Sequence, residues 1–135
     1  MAQSRVQPAP SARPLSPHLQ IYRLTWTMAM SVFHRGTGVA LYVGTALLAI
    51  WLLSLAMGPA AYDRTSWLFG TIIGKLVLFG YTWALMHHML GGVRHLVWDT
   101  GVGFEPGRRM QMAKFTLIGS SVLTVAIWVI AFIMR

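Results

Sequence analysis

The sequence predicts an all-α membrane protein, with three transmembrane helices behind an extended N-terminal arm on the cytoplasmic side. Three observations carry that reading. Of 135 residues, 56% are hydrophobic and only 10% charged, where a soluble domain carries about a quarter charged. Long stretches hold no charge at all. The basic residues that remain gather on one side of those stretches. The acids are just Asp63, Asp99 and Glu105, which leaves a formal charge of +8. This composition excludes a disordered tail, a disulfide scaffold (there is no cysteine) and an ordinary cytosolic enzyme.

The arm, residues 1–29, holds four of the six prolines, Pro8, Pro10, Pro14 and Pro17. Each X-Pro step disfavours helix. No apolar run and small-residue cleavage site follow its basic start, so it does not read as a signal peptide. The rest, 30–135, reads as one anchor domain with helices at about 30–57, 66–96 and 113–134. A bilayer core of about 30 Å calls for about 20 mostly apolar residues in a helix. For helix one, GVALYVGTALLAIWLLSLAM at 38–57 lies in an uncharged stretch from 36 to 62. Helix two contains WLFGTIIGKLVLFGYTWALMHHM at 67–89, with Lys75 inside. A mid-helix lysine costs about 2.5–3.5 kcal/mol on insertion scales. The surrounding Ile, Leu, Val and Phe offset that, and Lys75, about two turns from the outer end, can snorkel. Helix three, FTLIGSSVLTVAIWVIAFIM at 115–134, is again uncharged. A soluble three-helix bundle would need a charged face on each helix.

Three spans put the N-terminal side (Arg5, Arg13, Arg23, Arg35) and the second loop (Arg94, Arg108, Arg109, Lys114) on one side of the membrane, and leave Arg64 and Arg135 on the other. The positive-inside rule then makes the first side cytoplasmic. A bacterial inner membrane is the expected location, with the mitochondrial inner membrane as the alternative. The high charge is thus topological, and no nucleic-acid partner is expected despite a pI near 11.2.

Ionisable residues within membrane helices are costly and usually functional. Two clusters stand out. Ser31, His34 and Arg35, followed by Thr37 and Gly38, begin helix one, at spacings of three and four that share a face. His88, Gly92 and His95 fall at i, i+4 and i+7 near the end of helix two, with His87 turned about 100° away. Up-and-down topology brings both clusters to the same depth at the inner interface. Neutral imidazole ligates haem iron, and haem propionates call for Arg or His. Glycine one turn from a ligand leaves room for a flat macrocycle. Quinone oxygens want donors, and Ser, His and Arg are donors. An Arg–His pair at a helix end also serves as a plain interface anchor, and that reading stands beside the first.

The run Arg13-Pro14-Leu15-Ser16-Pro17-His18-Leu19-Gln20-Ile21-Tyr22, then Ser31-x-x-His34-Arg35-x-Thr37-Gly38, then His88-x-x-x-Gly92-x-Arg94-His95 with Trp98-Asp99, resembles the cytochrome b556 subunits of succinate dehydrogenase, the larger membrane anchor of respiratory complex II. The motifs cover roughly a third of the chain, and the three-span layout matches as well. The resemblance implies that His88 is the axial ligand of haem b, with the second iron ligand supplied by a smaller anchor subunit. It implies that His34, Arg35 and His95 lie near the haem propionates, and that Ser31 and Arg35 bind ubiquinone. His87 is out of register and expected to pack. Asp99 is expected to steady Arg94 or Arg35, and His18 and Tyr22 to dock on the iron–sulfur subunit.

On that resemblance, electrons from succinate reach ubiquinone through a flavoprotein and an iron–sulfur subunit, with this chain embedded in the lipid bilayer. Without cysteine or a dinucleotide-binding fingerprint the chain can hold neither flavin nor an iron–sulfur cluster, so catalysis belongs to the complex. A fumarate reductase anchor is an alternative in the same family. A small transporter or channel subunit is an alternative of another class, disfavoured because the polar clusters lie at one face and three spans do not divide into equal repeats.

Overall fold

The computed structural model describes Ile21 and residues 23–134. The arm up to residue 20, with Arg5, Arg13 and His18, lies outside them, as do Tyr22 and Arg135. The described residues form four helices and no strand: α1 (Trp26–Ala56), α2 (Pro59–Gly70), α3 (Ile72–Asp99) and α4 (Pro106–Ile133). The long helices α1, α3 and α4 form an up-and-down bundle with α3 central, packed on both α1 and α4.

Each boundary has a local cause. α1 begins at Trp26, earlier than the expected residue 30, because the Thr25 hydroxyl caps it by accepting from the Met28 N–H at 3.4 Å. It ends where Gly58 turns the chain at φ +102°, a conformation open to glycine. Pro59 then starts α2 at a position where proline needs no N–H partner. Gly101 and Gly103, at φ +82° and +90°, shape the loop after α3. Pro106 opens α4 seven residues before the expected 113. Apolar counting finds only the part of a helix that lies in lipid, so it stops short of polar turns that continue the helix into water.

The second expected helix is corrected. It does not run unbroken from 66 to 96: α2 and α3 meet at Thr71 with a bend of 78°. The Thr71 side chain caps α3 by accepting from the Gly74 N–H at 3.0 Å. Gly74 permits the corner, because a Cβ there would lie 2.7 Å from the Phe69 Cα. Lys75 consequently sits in the first turn of α3, exposed, rather than two turns into a span.

α1 and α4 are each long and apolar enough to cross a membrane, and α2 with α3 pass the same test as a bent pair. α3 alone is 28 residues, about 42 Å at 1.5 Å per residue. Its apolarity is diluted by Lys75, His87, His88, Arg94 and His95. The packing is that of an all-α membrane protein. Large apolar side chains such as Val39, Leu53, Phe115 and Ile130 face outward, and the buried hydrophobics are Met30, Ala84 and Ala113. Inside lie Thr37, Ser54, His87, Arg94, Thr116, Ser120 and Thr124. In lipid, helices associate through small residues and polar contacts rather than by hiding Leu and Ile.

Candidate functional site: a histidine cluster where α1 crosses α3

Glycines let α1 and α3 approach. A Cβ at Gly38 would come 3.1 Å from His88 Cε1, and one at Gly44 would strike the Tyr81 ring. On the facing helix, a Cβ at Gly91 would strike the His34 ring. Between the Gly38 and Gly91 contacts the imidazoles of His34 and His88 stack, with centroids 4.2 Å apart and planes 12° from parallel. His95, two turns along α3 from His88, meets His34 edge-on at 5.2 Å.

The hydrogen bonds fix the chemistry of His88. Its Nδ1 lies 3.1 Å from the His34 carbonyl oxygen and 3.4 Å from the Thr37 hydroxyl. That hydroxyl itself donates to the His34 carbonyl at 2.9 Å. A carbonyl can only accept, so Nδ1 carries the proton and Nε2 keeps its lone pair. Donation from one ring nitrogen to a backbone carbonyl is the usual way a metal-binding histidine is oriented and made more basic. Nε2 of His88 has no hydrogen-bond partner among the described residues and is not among the enclosed polar atoms. One turn on, a Cβ at Gly92 would meet nothing within 4 Å, so open space lies one turn from His88.

The stacked histidines are not themselves a chelate. Ring lone pairs lie in the ring plane, and parallel rings cannot aim them at one point. Among the described residues no three His, Asp or Glu side chains are grouped to hold a metal ion. The arrangement offers one imidazole nitrogen outward, which suits a cofactor that brings its own equatorial ligands.

The structure separates residues that helical spacing had placed on one face. His34 turns inward against α3, whereas Ser31 and Arg35 are exposed. Arg35 Nε donates to the Ser31 carbonyl at 3.4 Å, which holds the guanidinium along the outer surface of α1 beside Ser31. Arg94 is buried toward α4, where Nη1 donates to the Thr116 hydroxyl at 3.4 Å. Its guanidinium lies 5.2 Å from the Trp98 ring centroid. Asp99 pairs with neither Arg94 nor Arg35; the ion pair among the described residues is Arg108–Glu105 at 3.7 Å. His87 faces α4, stacked on Trp83 at 4.9 Å and 3.4 Å from the Ser120 hydroxyl. The contact role of Thr37 was not read from the sequence, although it stands inside the motif. A threonine one turn from a histidine on a glycine-lined helix face was the available signal.

Residues 9–127 match the family of succinate dehydrogenase/fumarate reductase transmembrane subunits. The chain is 38% identical over 121 residues to the succinate dehydrogenase cytochrome b556 subunit of Paracoccus denitrificans, covering 90% of this chain and 93% of that one. It is 36% identical to the protein of the same name from Rickettsia felis, over 87% of this chain and 91% of the other. With the mitochondrial succinate dehydrogenase cytochrome b560 subunit of Sus scrofa it shares 39% identity over 80% of this chain and 65% of that one. A span-forming bundle with an imidazole nitrogen presented at one end, matched along nearly its whole length to such proteins, belongs to the family of succinate dehydrogenase/fumarate reductase transmembrane subunits.

Proposed function

We propose that this chain anchors a succinate:ubiquinone oxidoreductase in the membrane, ligates a haem b through His88, and forms part of the site where ubiquinone is reduced. The carrying observation is the Nδ1–H of His88 held by the His34 carbonyl, which leaves Nε2 as a lone-pair donor, with open space one turn away at Gly92. The residues present fit a haem. His88 would ligate its iron, and His34, His95 and Arg35, at the same end of the bundle, would pair with its anionic carboxylates. When bound, the haem supplies a one-electron store.

The protein's own groups do the rest. Thr37 and the His34 carbonyl hold the His88 ring in one tautomer. The His34 ring, stacked on His88, limits its rotation and shuts water out from that side. Ser31 would donate a hydrogen bond to a quinone oxygen. Arg35, beside it, would stabilise negative charge developing there. Both side chains are exposed in this chain alone, so the quinone pocket would be completed by the iron–sulfur subunit and by a second, smaller anchor subunit that provides the other haem ligand. A flavoprotein subunit would oxidise succinate. The relatives' names favour succinate oxidation over the fumarate reductase that shares the family description. The basic residues at the inner ends of the helices support a cytoplasmic N-terminus in a bacterial inner membrane.

Co-purification tests this reading. A tagged chain isolated from its native membrane should bring flavoprotein and iron–sulfur subunits with it, and should show a b-type band in the reduced-minus-oxidised spectrum. A complex that reduces quinone with succinate but shows no such band would remove haem from the proposal. A chain that purifies without those subunits would remove the complex.

A further inference from the structure

We propose that the cavity at the inner end of α1, α3 and α4 is an anion site that takes the phosphate of a membrane phospholipid, with Arg94 and Trp98 as its donors. The cavity is about 60 Å³ and is lined by Thr27 and Ser31 of α1, Arg94, His95 and Trp98 of α3, and Arg109 of α4, among others. A cavity of that size holds several water-sized groups, enough for an oxyanion.

Two enclosed nitrogens belong to residues that line this space and stand unpaired among the described residues. Arg94 is 5% exposed, and among the described residues its Nε has no hydrogen-bond partner; nor does Trp98 Nε1. Both are donor-only groups, so what is missing is an acceptor. A buried charge without a counter-charge is strongly unfavourable. This chain has no side chain to provide one. Its three acids are Asp63, Asp99 and Glu105. Asp63 lies on α2 at the far end, Asp99 is exposed, and Glu105 pairs with Arg108. Arg109 adds a further donor around the same space. The compensating anion must come from outside the chain.

Depth selects a lipid. Trp98 lies in the last turn of α3 and Arg109 in the first turn of α4, where lipid headgroups meet the helix ends. Arg108 and Lys114 extend the basic ring there. Basic pockets between transmembrane helices on the cytoplasmic side are suited to anionic headgroups, and tryptophan is at home at that interface.

The test uses the full chain in whatever assembly it purifies with. Native mass spectrometry after detergent washing should find a retained phospholipid. After delipidation, phosphatidylglycerol in mixed micelles should restore thermal stability. Arg94→Gln and Trp98→Phe should each weaken that response by roughly tenfold or more, the order expected for losing a hydrogen bond to a charged group, with the haem band unchanged. Inorganic phosphate producing the same response, with the same loss in the variants, would keep the anion site and assign it to free phosphate. If Arg94→Gln fails to assemble, Trp98→Phe decides, since it keeps an aromatic side chain beside Arg94 and leaves the Arg94 charge in place while removing the N–H. Equal lipid retention in wild type and variants would overturn the proposal. So would a wild type without lipid or phosphate response, which would hand Arg94 to a carboxylate of the cofactor or a partner.

Discussion

His87 and His88 are adjacent in sequence and live in opposite surroundings. His88 faces α1, where one nitrogen is tied to a backbone carbonyl and the other is left open. His87 faces α4, 0% exposed, wedged between Trp83 and Ser120. The difference comes from the 100° step of the helix and from what each neighbour contributes. α1 brings glycine and a carbonyl, which create room and direction. α4 brings hydroxyls that are already used on its own backbone: Thr116, Ser120 and Thr124 donate to the carbonyls of Met112, Leu117 and Ser120. One side of α3 is built to present a side chain, and the other to enclose one.

The largest effect should come from exchanging those roles. His88→Ala should abolish the b-type haem band. His87→Ala should keep the band and lower the stability of the complex by about 2–4 kcal/mol, the scale of emptying a buried site, read as thermal inactivation. If His87→Ala erased the band and His88→Ala spared it, the assignment of the two sides would be reversed.

Next in size is the exposed face of α1. Arg35→Ala should lower succinate-driven quinone reduction by roughly a hundredfold, the scale of removing a donor from developing negative charge. Ser31→Ala should lower it less. Succinate oxidation with a soluble acceptor should be untouched in both. Parallel loss of the two activities would mean that these residues serve assembly.

The smallest contrast concerns two adjacent glycines. Gly91→Val should collide with the His34 ring and cost roughly 1–3 kcal/mol as an overpacked contact, with less complex recovered. Gly92→Val meets open space in this chain and should assemble normally while weakening haem retention. Identical behaviour of the pair would show that the space at Gly92 is not where the cofactor lies.

Much of the bundle was legible in the sequence because lipid imposes a simple rule: charge is absent where the chain crosses. The gaps from 36 to 62 and from 115 to 134 correspond to most of α1 and α4. The corner at Thr71 was not legible from that rule, since the residues on either side of it, 67–70 and 72–73, are uncharged and mostly apolar. It is set by a threonine cap and by the absence of a Cβ at Gly74, features too local for apolar counting. The same limit applies at the site. Spacing placed Ser31, His34 and Arg35 together, but it could not choose which of them turns inward. Gly91, on another helix, makes that choice by leaving a berth for one ring. The burial of Arg94 was equally hidden, because its partner Thr116 is 22 residues away.

The inverted interior, with hydroxyls and glycines inside and large aliphatics outside, has a consequence for how this sequence can drift. In a water-soluble bundle the aliphatic positions are the guarded ones. Here a Leu, Ile or Val on the lipid face should exchange freely with others of its kind. Ser120, Thr124 and Gly44, the small members of the seams, should tolerate almost no enlargement. A substitution scan would therefore trace the helix contacts as a map of forbidden volume rather than of forbidden polarity.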